Sequence, residues 1–314
     1  MTEPDVRTTN ARAEAVFIVG VSRSGTTLMR KTLSTSSALA IAHENHFLGH
    51  LLPLSGMRHR IHRLGDLHDD LVVDRFIAAL YGGSLRDEGR LRGTSRQWRW
   101  IAAKVDRQEL RARILASDRS DRALFTIMMR VYADHYAKPV MGEKTPAHLR
   151  YVPTLLRWFP GARVIHMVRD PRGVYVSELR RRRTEAVTTP YRQLRRFGAL
   201  FSGWVLLQTT ALWLEGALRD ARYRRRYGAR YRLVRFEDLV QRPESTVRSI
   251  CDFLGIEFEP AMLRQTVVSR GFQAGTEGFD AAAADRWREH IGPAARRWLS
   301  TVLRVPLRRL GYER

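Results

Sequence analysis

The stretch Gly20-Val-Ser-Arg-Ser-Gly25-Thr26-Thr27 gathers two glycines, four hydroxyls and one cation into eight residues. It lies between an apolar run and a helical pattern. In that setting successive backbone N–H groups and a helix N-terminus cradle an anion, so phosphate or sulfate is the ligand it suits. The spacing approaches the P-loop pattern G-x-x-x-x-G-K-[ST], but Thr26 stands at the lysine position and a cation comes earlier, at Arg23. A nucleoside triphosphatase without that lysine loses its contact to the terminal phosphates, whereas an arginine inside the loop still neutralises a leaving phosphate. The alternative is a Gly/Ser turn with no ligand, and the strand and helix on either side weigh against it.

A second constellation is Arg163-Val-Ile-His-Met-Val-Arg169-Asp-Pro-Arg172, with Ser177 eight residues after Arg169. A helix beginning near Pro171 puts Ser177 and Arg181 on one face at i, i+4. Arg169 then falls at the carboxyl end of a strand, where open α/β sheets bind ligands. An arginine, a hydroxyl and a second arginine make a site for another phosphate. Asp170 could instead be read as a magnesium-binding carboxylate, but Pro171 after it and Arg169 before it suit a structural turn better. The other arginines of the run 180–183 read as a solvated face.

These groups need a scaffold, and the chain supplies one. Ala15 to Gly20 (AVFIVG) is a short apolar, β-branched run of the kind that forms a fully buried parallel strand. Thr26 to Ser34 is helical, and Leu39 to Ala42 reads as a second short strand with Glu44 just beyond it. Asp121 to Ala137 has a helical period ended by Pro139, and Val140 to Pro146 reads as a strand edge entering a turn. Helix over Tyr151 to Phe159, a Pro160-Gly161 turn and a buried strand over Ala162 to Val168 lead to the Pro171 helix. A long helix over roughly Arg195 to Arg222, a strand over Tyr231 to Phe236 and helix over Glu237 to Leu254 complete the alternation. Strands alternating with helices predict a P-loop-like three-layer sandwich, a central parallel sheet flanked by helices. No repeat and no Pro/Gly/Ser linker divides the chain, so a single domain over 15–314 is expected. Residues 51–121 carry no clear chemistry.

Composition bounds the function. With 314 residues, 44% hydrophobic and 28% charged, this is a globular chain with room for a sizeable core. The net charge of +23 points to nucleic acid, a membrane surface or an anionic substrate. Only four of the 55 cationic residues are lysines (Lys31, Lys104, Lys138 and Lys144), so a general arginine bias is a competing explanation. No helix-turn-helix, zinc-finger or RNP-type aromatic motif supports a specific nucleic-acid partner. The single cysteine, Cys251, excludes an internal disulfide and a Cys-based zinc site, and its helical setting makes it a small core residue. Residues 1–14 are polar, of mixed charge and expected to be disordered. They do not read as a secretory signal. Phe197 to Leu218 is interrupted by Ser202, Gln208 and Glu215, so a buried amphipathic helix is expected there rather than a transmembrane segment. A cytoplasmic location follows, and oligomeric state is left open.

RSGTT after an apolar strand, KTP near 144, RDPRGVYVS and YRLVRFEDLVQRPESTVRSICDFLG together resemble the sulfotransferases that use 3′-phosphoadenosine 5′-phosphosulfate (PAPS). The branch that includes tyrosylprotein sulfotransferases and bacterial relatives is the nearest in pattern, over fragments from about Ala15 to Leu254. The resemblance implies PAPS as co-substrate, no metal, and in-line transfer of the sulfuryl group to a hydroxyl or amine. It casts Arg23, Ser24, Gly25, Thr26 and Thr27 as the 5′-phosphosulfate cradle. Arg169 and Ser177 become the 3′-phosphate pair, with Arg181 a third member. Phe236 stands where relatives often carry a tyrosine near the adenine. Lys144 is the implied lysine at the bridging oxygen, and Glu44, 21 residues beyond Arg23, the implied base. Taken alone, Glu44 reads as a surface residue, and the flanking His43 and His46 stay open as the base. His43-Glu-Asn-His46 lacks the H-E-x-x-H spacing of a zinc site. The acceptor stays open among small molecules, carbohydrates, lipids and peptides, with 51–121 expected to shape its cleft. A P-loop phosphotransferase or nucleotide hydrolase is the alternative activity.

Overall fold

The computed structural model describes residues 12–49, 56–82, 96–184, 195–264 and 277–312. Its centre is a five-stranded, wholly parallel sheet in the order β2-β3-β1-β4-β5. The strands are β1 (Ala15–Gly20), β2 (Leu39–Ala42), β3 (Val140–Lys144), β4 (Arg163–Val168) and β5 (Tyr231–Arg235). β1 is the middle strand, pairing Ile18 with Lys144 of β3 on one side and Gly20 with Met167 of β4 on the other. All six residues of β1 are buried. That is why its sequence is continuously apolar instead of alternating, since helices cover both faces of a parallel sheet.

Alternate residues of β1 feed two separate cores. Phe17 and Val19 join Phe47, Phe76, Trp98, Phe125 and Phe159 on one face, while Val16 and Ile18 join Leu33, Ile165, Leu239 and Leu254 on the other. The second face is laid down by α1 (Thr26–Ser34) and by the helices Phe236–Gln241 and Pro243–Leu254. Cys251 is a free thiol in this core, 1% exposed. The helical stretch expected over 237–254 is divided at Pro243, a helix-start signal, which has no N–H to continue the first helix and starts the second.

The chain over 51–121 is more regular than its sequence suggests. Among its described residues four helices form: α2 (Met57–His62), α3 (Asp70–Gly82), α4 (Arg96–Lys104) and α5 (Arg107–Leu115). Each is anchored by a narrow buried stripe, such as Val72, Val73, Phe76, Ile77 and Leu80 in α3. The many arginines between those anchors obscure the period. They pack with α6 (Asp121–His135) and α7 (Val152–Trp158) over the first face of β1.

Two further expectations were refined. Residues 1–11 of the predicted frayed N-terminus lie outside the described residues, but Ala13 and Glu14 are tied down through N–H bonds to the carbonyls of Leu254 (3.0 Å) and Gly161 (3.1 Å). The long helix runs over Gly198–Tyr227 and is only half-buried. Phe201, Val205 and Trp213 face the core, whereas Leu200, Trp204, Leu207 and Leu218 are exposed. Among the described residues no helix is long and apolar enough to cross a membrane.

Candidate active site

In a parallel sheet whose chain moves out from a central strand in both directions, the loops at the strands' carboxyl ends part and leave a crevice. The sequence candidates Glu44, Lys144, the 21–25 loop, Arg169 and Phe236 all lie at or just past the carboxyl ends of β2, β3, β1, β4 and β5, in spatial order. Five segments far apart in the chain thus deliver their chemistry to one edge of the sheet.

The loop after β1 is shaped by two glycines. At Gly20 a Cβ would lie 2.4 Å from the Met167 carbonyl oxygen, so only glycine lets β1 end this close to β4. Gly25, at φ 87°, caps α1, and a Cβ there would sit 2.5 Å from the Phe236 ring. The Phe236 ring therefore closes against the loop backbone. Arg23 also takes a positive φ of 73°. Its Nε donates to Ser177 Oγ at 3.0 Å, which joins the loop to α8 (Pro171–Thr184). The amides opening α1 have no intrahelical acceptor, no acidic residue occupies its first turn, and the Ser24 hydroxyl is buried without a hydrogen-bond partner. This leaves polar capacity of the kind that suits an anion.

Arg169 reaches the same loop. Its guanidinium lies over the Phe236 ring, 4.2 Å from the centroid, and it donates to the Ala283 carbonyl at 2.8 Å and towards the Arg23 carbonyl at 3.4 Å. Nε of Arg169 is buried with no partner. Burial lowers its pKa to about 10 despite Glu237 nearby, a cost that an anionic ligand would offset. Asp170 serves the turn, as its sequence neighbours suggest. Its carboxylate holds the Arg172 guanidinium (2.6 and 2.8 Å), and its N–H donates to Glu237 at 2.9 Å. Arg181 sits one turn beyond Ser177 on α8, where its guanidinium is held by Glu178 at 2.7 and 3.0 Å.

On the other side of β1, Lys144 Nζ donates to Thr27 Oγ1 at 3.1 Å and also to Glu44 Oε1. His46 Nε2 stands 3.5 Å from the second Glu44 oxygen. Burial tends to raise the Glu44 pKa, but the His46 hydrogen bond and the Lys144 charge outweigh it and hold the carboxyl well below the ordinary carboxylate range. The Lys144 ammonium, 6% exposed, is pushed below its usual 10.5 by burial, with Glu44 opposing. Burial and then the charges of Arg30, Arg96 and Lys144 lower His43 to about 4, so it is neutral near pH 7. Glu44 keeps a third of its side chain exposed and can be reached from solvent.

What holds Glu44 in place was not readable from the sequence. Glu143, fully buried, accepts from Asn45 Nδ2 at 3.3 Å and from the Thr145 hydroxyl, and shares a 2.6 Å hydrogen bond with His148 Nδ1. Asn45 Oδ1 accepts from the Phe47 N–H at 2.8 Å. Gln97 and Trp98 of α4 bond the His43 N–H (3.0 Å) and the Asn45 carbonyl (3.1 Å). The local sequence HENHF carries no signal for these partners, because they lie 50 to 100 residues away. Arg30 and Tyr132, which lie against His43, were missed for that reason too. Among the described residues no cluster of three or more His, Cys, Asp or Glu side chains is placed to hold a metal ion.

Comparison with known proteins bears on the family and the fold. A model of the sulfotransferase family matches residues 15–260. The sulfotransferase domain from the Synechococcus PCC 7002 olefin synthase is 22% identical, with a TM-score of 0.59 over 96% of this chain and 95% of that one. The sulfotransferase domain from the curacin biosynthetic pathway is 19% identical, with a TM-score of 0.52 over 96% and 98%. Carbohydrate sulfotransferase 1 of Danio rerio is 28% identical over 178 residues, which cover 48% of this chain and 38% of that protein.

Proposed function

The chain belongs to the sulfotransferase family, and we propose that it transfers the sulfuryl group of PAPS to a hydroxyl, or less often an amine, of an acceptor. The observation that carries this reading is the meeting, along one edge of the sheet, of the Arg23–Ser177–Arg169 cluster and the Glu44–Lys144 pair on opposite sides of the same glycine loop. PAPS supplies a sulfuryl group on a good phosphate leaving group. The unpartnered Ser24 hydroxyl and Arg169 Nε fit such an anion, and so does the loop backbone that no Cβ obstructs.

In this reading Ser24, Gly25, Thr26 and Thr27 hold the 5′-phosphosulfate through backbone amides and hydroxyls. Arg169 and Ser177 hold the 3′-phosphate, and Arg181 joins them by releasing Glu178. Phe236 offers its ring face to the adenine. Glu44 takes the proton as the acceptor oxygen bonds to sulfur. The sulfur–oxygen bond to the leaving phosphate breaks at the same time, and its electron pair goes to that oxygen. Arg23 and Lys144 stabilise the charge that develops there, a role worth about 3 kcal/mol per donor in comparable oxyanion sites. Lys144 is tied to Glu44 in this structure, so one movement of its ammonium towards a phosphate oxygen both frees the base and places the cation. Neutral His43 is the second candidate for the base. Residues 51–121 are assigned to the acceptor side, because α4 supplies Gln97 and Trp98 to the Glu44 turn. The acceptor remains one of four classes, a small molecule, carbohydrate, lipid or peptide.

Thermal shift with 3′-phosphoadenosine 5′-phosphate (PAP) tests the reading. PAP should stabilise the protein without added metal, and Arg169→Ala should lose most of that shift. Stabilisation by ATP with magnesium and none by PAP would replace it with phosphoryl transfer.

A further inference from the structure

His43 lies in the field of three cations, Arg30, Arg96 and Lys144, and of the Glu44 carboxylate. Lys144 and His46 already engage that carboxylate. Arg30 lies on α1, at i+3 from Thr27, which accepts from Lys144, and therefore on the helix face turned to the Glu44–Lys144 pair. Its Nη1 approaches the Ile41 carbonyl at 3.5 Å, and Tyr132 is its side-chain hydrogen-bond partner. Among the described residues no carboxylate lies within ion-pair distance of Arg30 or Arg96. A guanidinium has five donors in a rigid fork, and a weak carbonyl contact and one phenol leave much of it unused. Holding an arginine half-buried with no carboxylate in contact is costly, and an anion bound there would offset part of that cost.

An aromatic cluster adjoins these cations. Tyr132 packs against His43 edge-on at 5.9 Å, against Trp100 at 4.7 Å and against Tyr136 at 5.0 Å, and Tyr136 is 47% exposed. Tyr132 itself is buried in the core, so the rings this cluster opens to solvent are Tyr136 and the half-buried Trp100, against which a planar, apolar body can lie.

We infer that the acceptor carries an anionic group close to the hydroxyl it presents, and that Arg30, assisted by Arg96 and Tyr132, receives that group. This subsite rests on the proposal that Glu44 faces the acceptor. It is separate from the Arg169 side of the loop, where the two phosphates of the donor are assigned. The aromatic cluster makes hydroxyaryl carboxylates the natural probes.

The test is calorimetric titration of PAP-loaded protein with a series from 4-hydroxybenzoate to 4-hydroxyphenylpropionate, each paired with its neutral amide. Wild type should bind at least one acid about tenfold more tightly than its amide, the scale of one charge-assisted hydrogen bond. Arg30→Gln should bring each pair within about twofold, Arg30→Lys should restore part of the preference, and PAP affinity should stay within about twofold in both. Three results would overturn the subsite: no acid preference in wild type across the series, equal weakening of acid and amide by Arg30→Gln, or loss of PAP affinity in that variant, which would assign Arg30 to the donor. Absence of PAP binding in wild type would instead count against the donor reading. The acid and amide titrations, repeated without PAP, would still decide the subsite.

Discussion

At the scale of single residues, the Glu44–Lys144 pair sets the expected pH response. Glu44 is held below the ordinary carboxylate range, so its deprotonated form persists as pH falls and is lost only below that range. The acid limb of kcat/KM should therefore lie below pH 4, with no inflection near 6.5 from His43, which titrates at about 4. Lys144 is lowered from 10.5, so the alkaline limb should fall before that value as its ammonium loses a proton. Glu44→Gln should cut kcat by 100-fold or more while PAP still binds, and rapid-quench transfer assays over pH 4 to 10 check both points. Full activity in Glu44→Gln would move the base to a flanking histidine. The same pair illustrates how little a residue reveals alone. A glutamate after a short strand is commonplace, and only Lys144, 100 residues away and aligned through the β2–β3 register, gives it chemistry.

At the scale of elements, two supports should be separable from the reacting groups. Gly25→Ala introduces a Cβ 2.5 Å from the Phe236 ring at a positive φ, a strain of about 1–3 kcal/mol. It should weaken PAP binding by at least tenfold. Phe236→Ala in the same chain should recover part of the loss by removing the steric share, and PAP titrations of the single and double variants measure that coupling. The second support is the buried Glu143, Asn45, Thr145 and His148 network beneath the Glu44 turn. Asn45→Ala should destabilise the fold by about 1–3 kcal/mol in urea unfolding, since it leaves buried polar groups unpaired. It should lower kcat far more than it changes PAP affinity, because the turn it holds bears Glu44 and not the donor loop.

At the scale of the whole molecule, the C-terminal segment completes a site that begins at residue 20. Ala283 accepts from Arg169, Trp287 lies beneath the Arg172 guanidinium at 4.5 Å, and the Tyr312 hydroxyl bonds Glu237 at 2.9 Å. Trp287→Ala should cost about 3–5 kcal/mol of stability and weaken PAP binding, because its 3% exposure leaves a cavity beside the Arg169 turn. Trp287→Phe should retain most of both, and urea unfolding with PAP titration compares the two. The net charge of +23 is met only partly by this site. Many arginines are spent in local pairs such as Arg248–Glu244 and Arg242–Asp238, one helical turn apart on exposed faces. Surface pairs of this kind contribute little to stability.

By itself the amino-acid sequence determined the strands, the glycine loop, the Pro171 helix and the family, because buried parallel strands, tight turns and helix starts are dictated by neighbours in the chain. β1, α1 and β2 fall where their residues predict. It did not determine the helices hidden among the arginines of 57–115, whose buried stripes have meaning only once a sheet lies beneath them. Nor did it reveal that Arg23 reaches Ser177, that Glu44 engages Lys144, or that Arg30 approaches the Ile41 carbonyl. Those contacts join residues 11 to 154 apart in the chain. Hydrogen bonds and charges act over a few ångströms, so only the order and register of the parallel sheet could decide which of them meet.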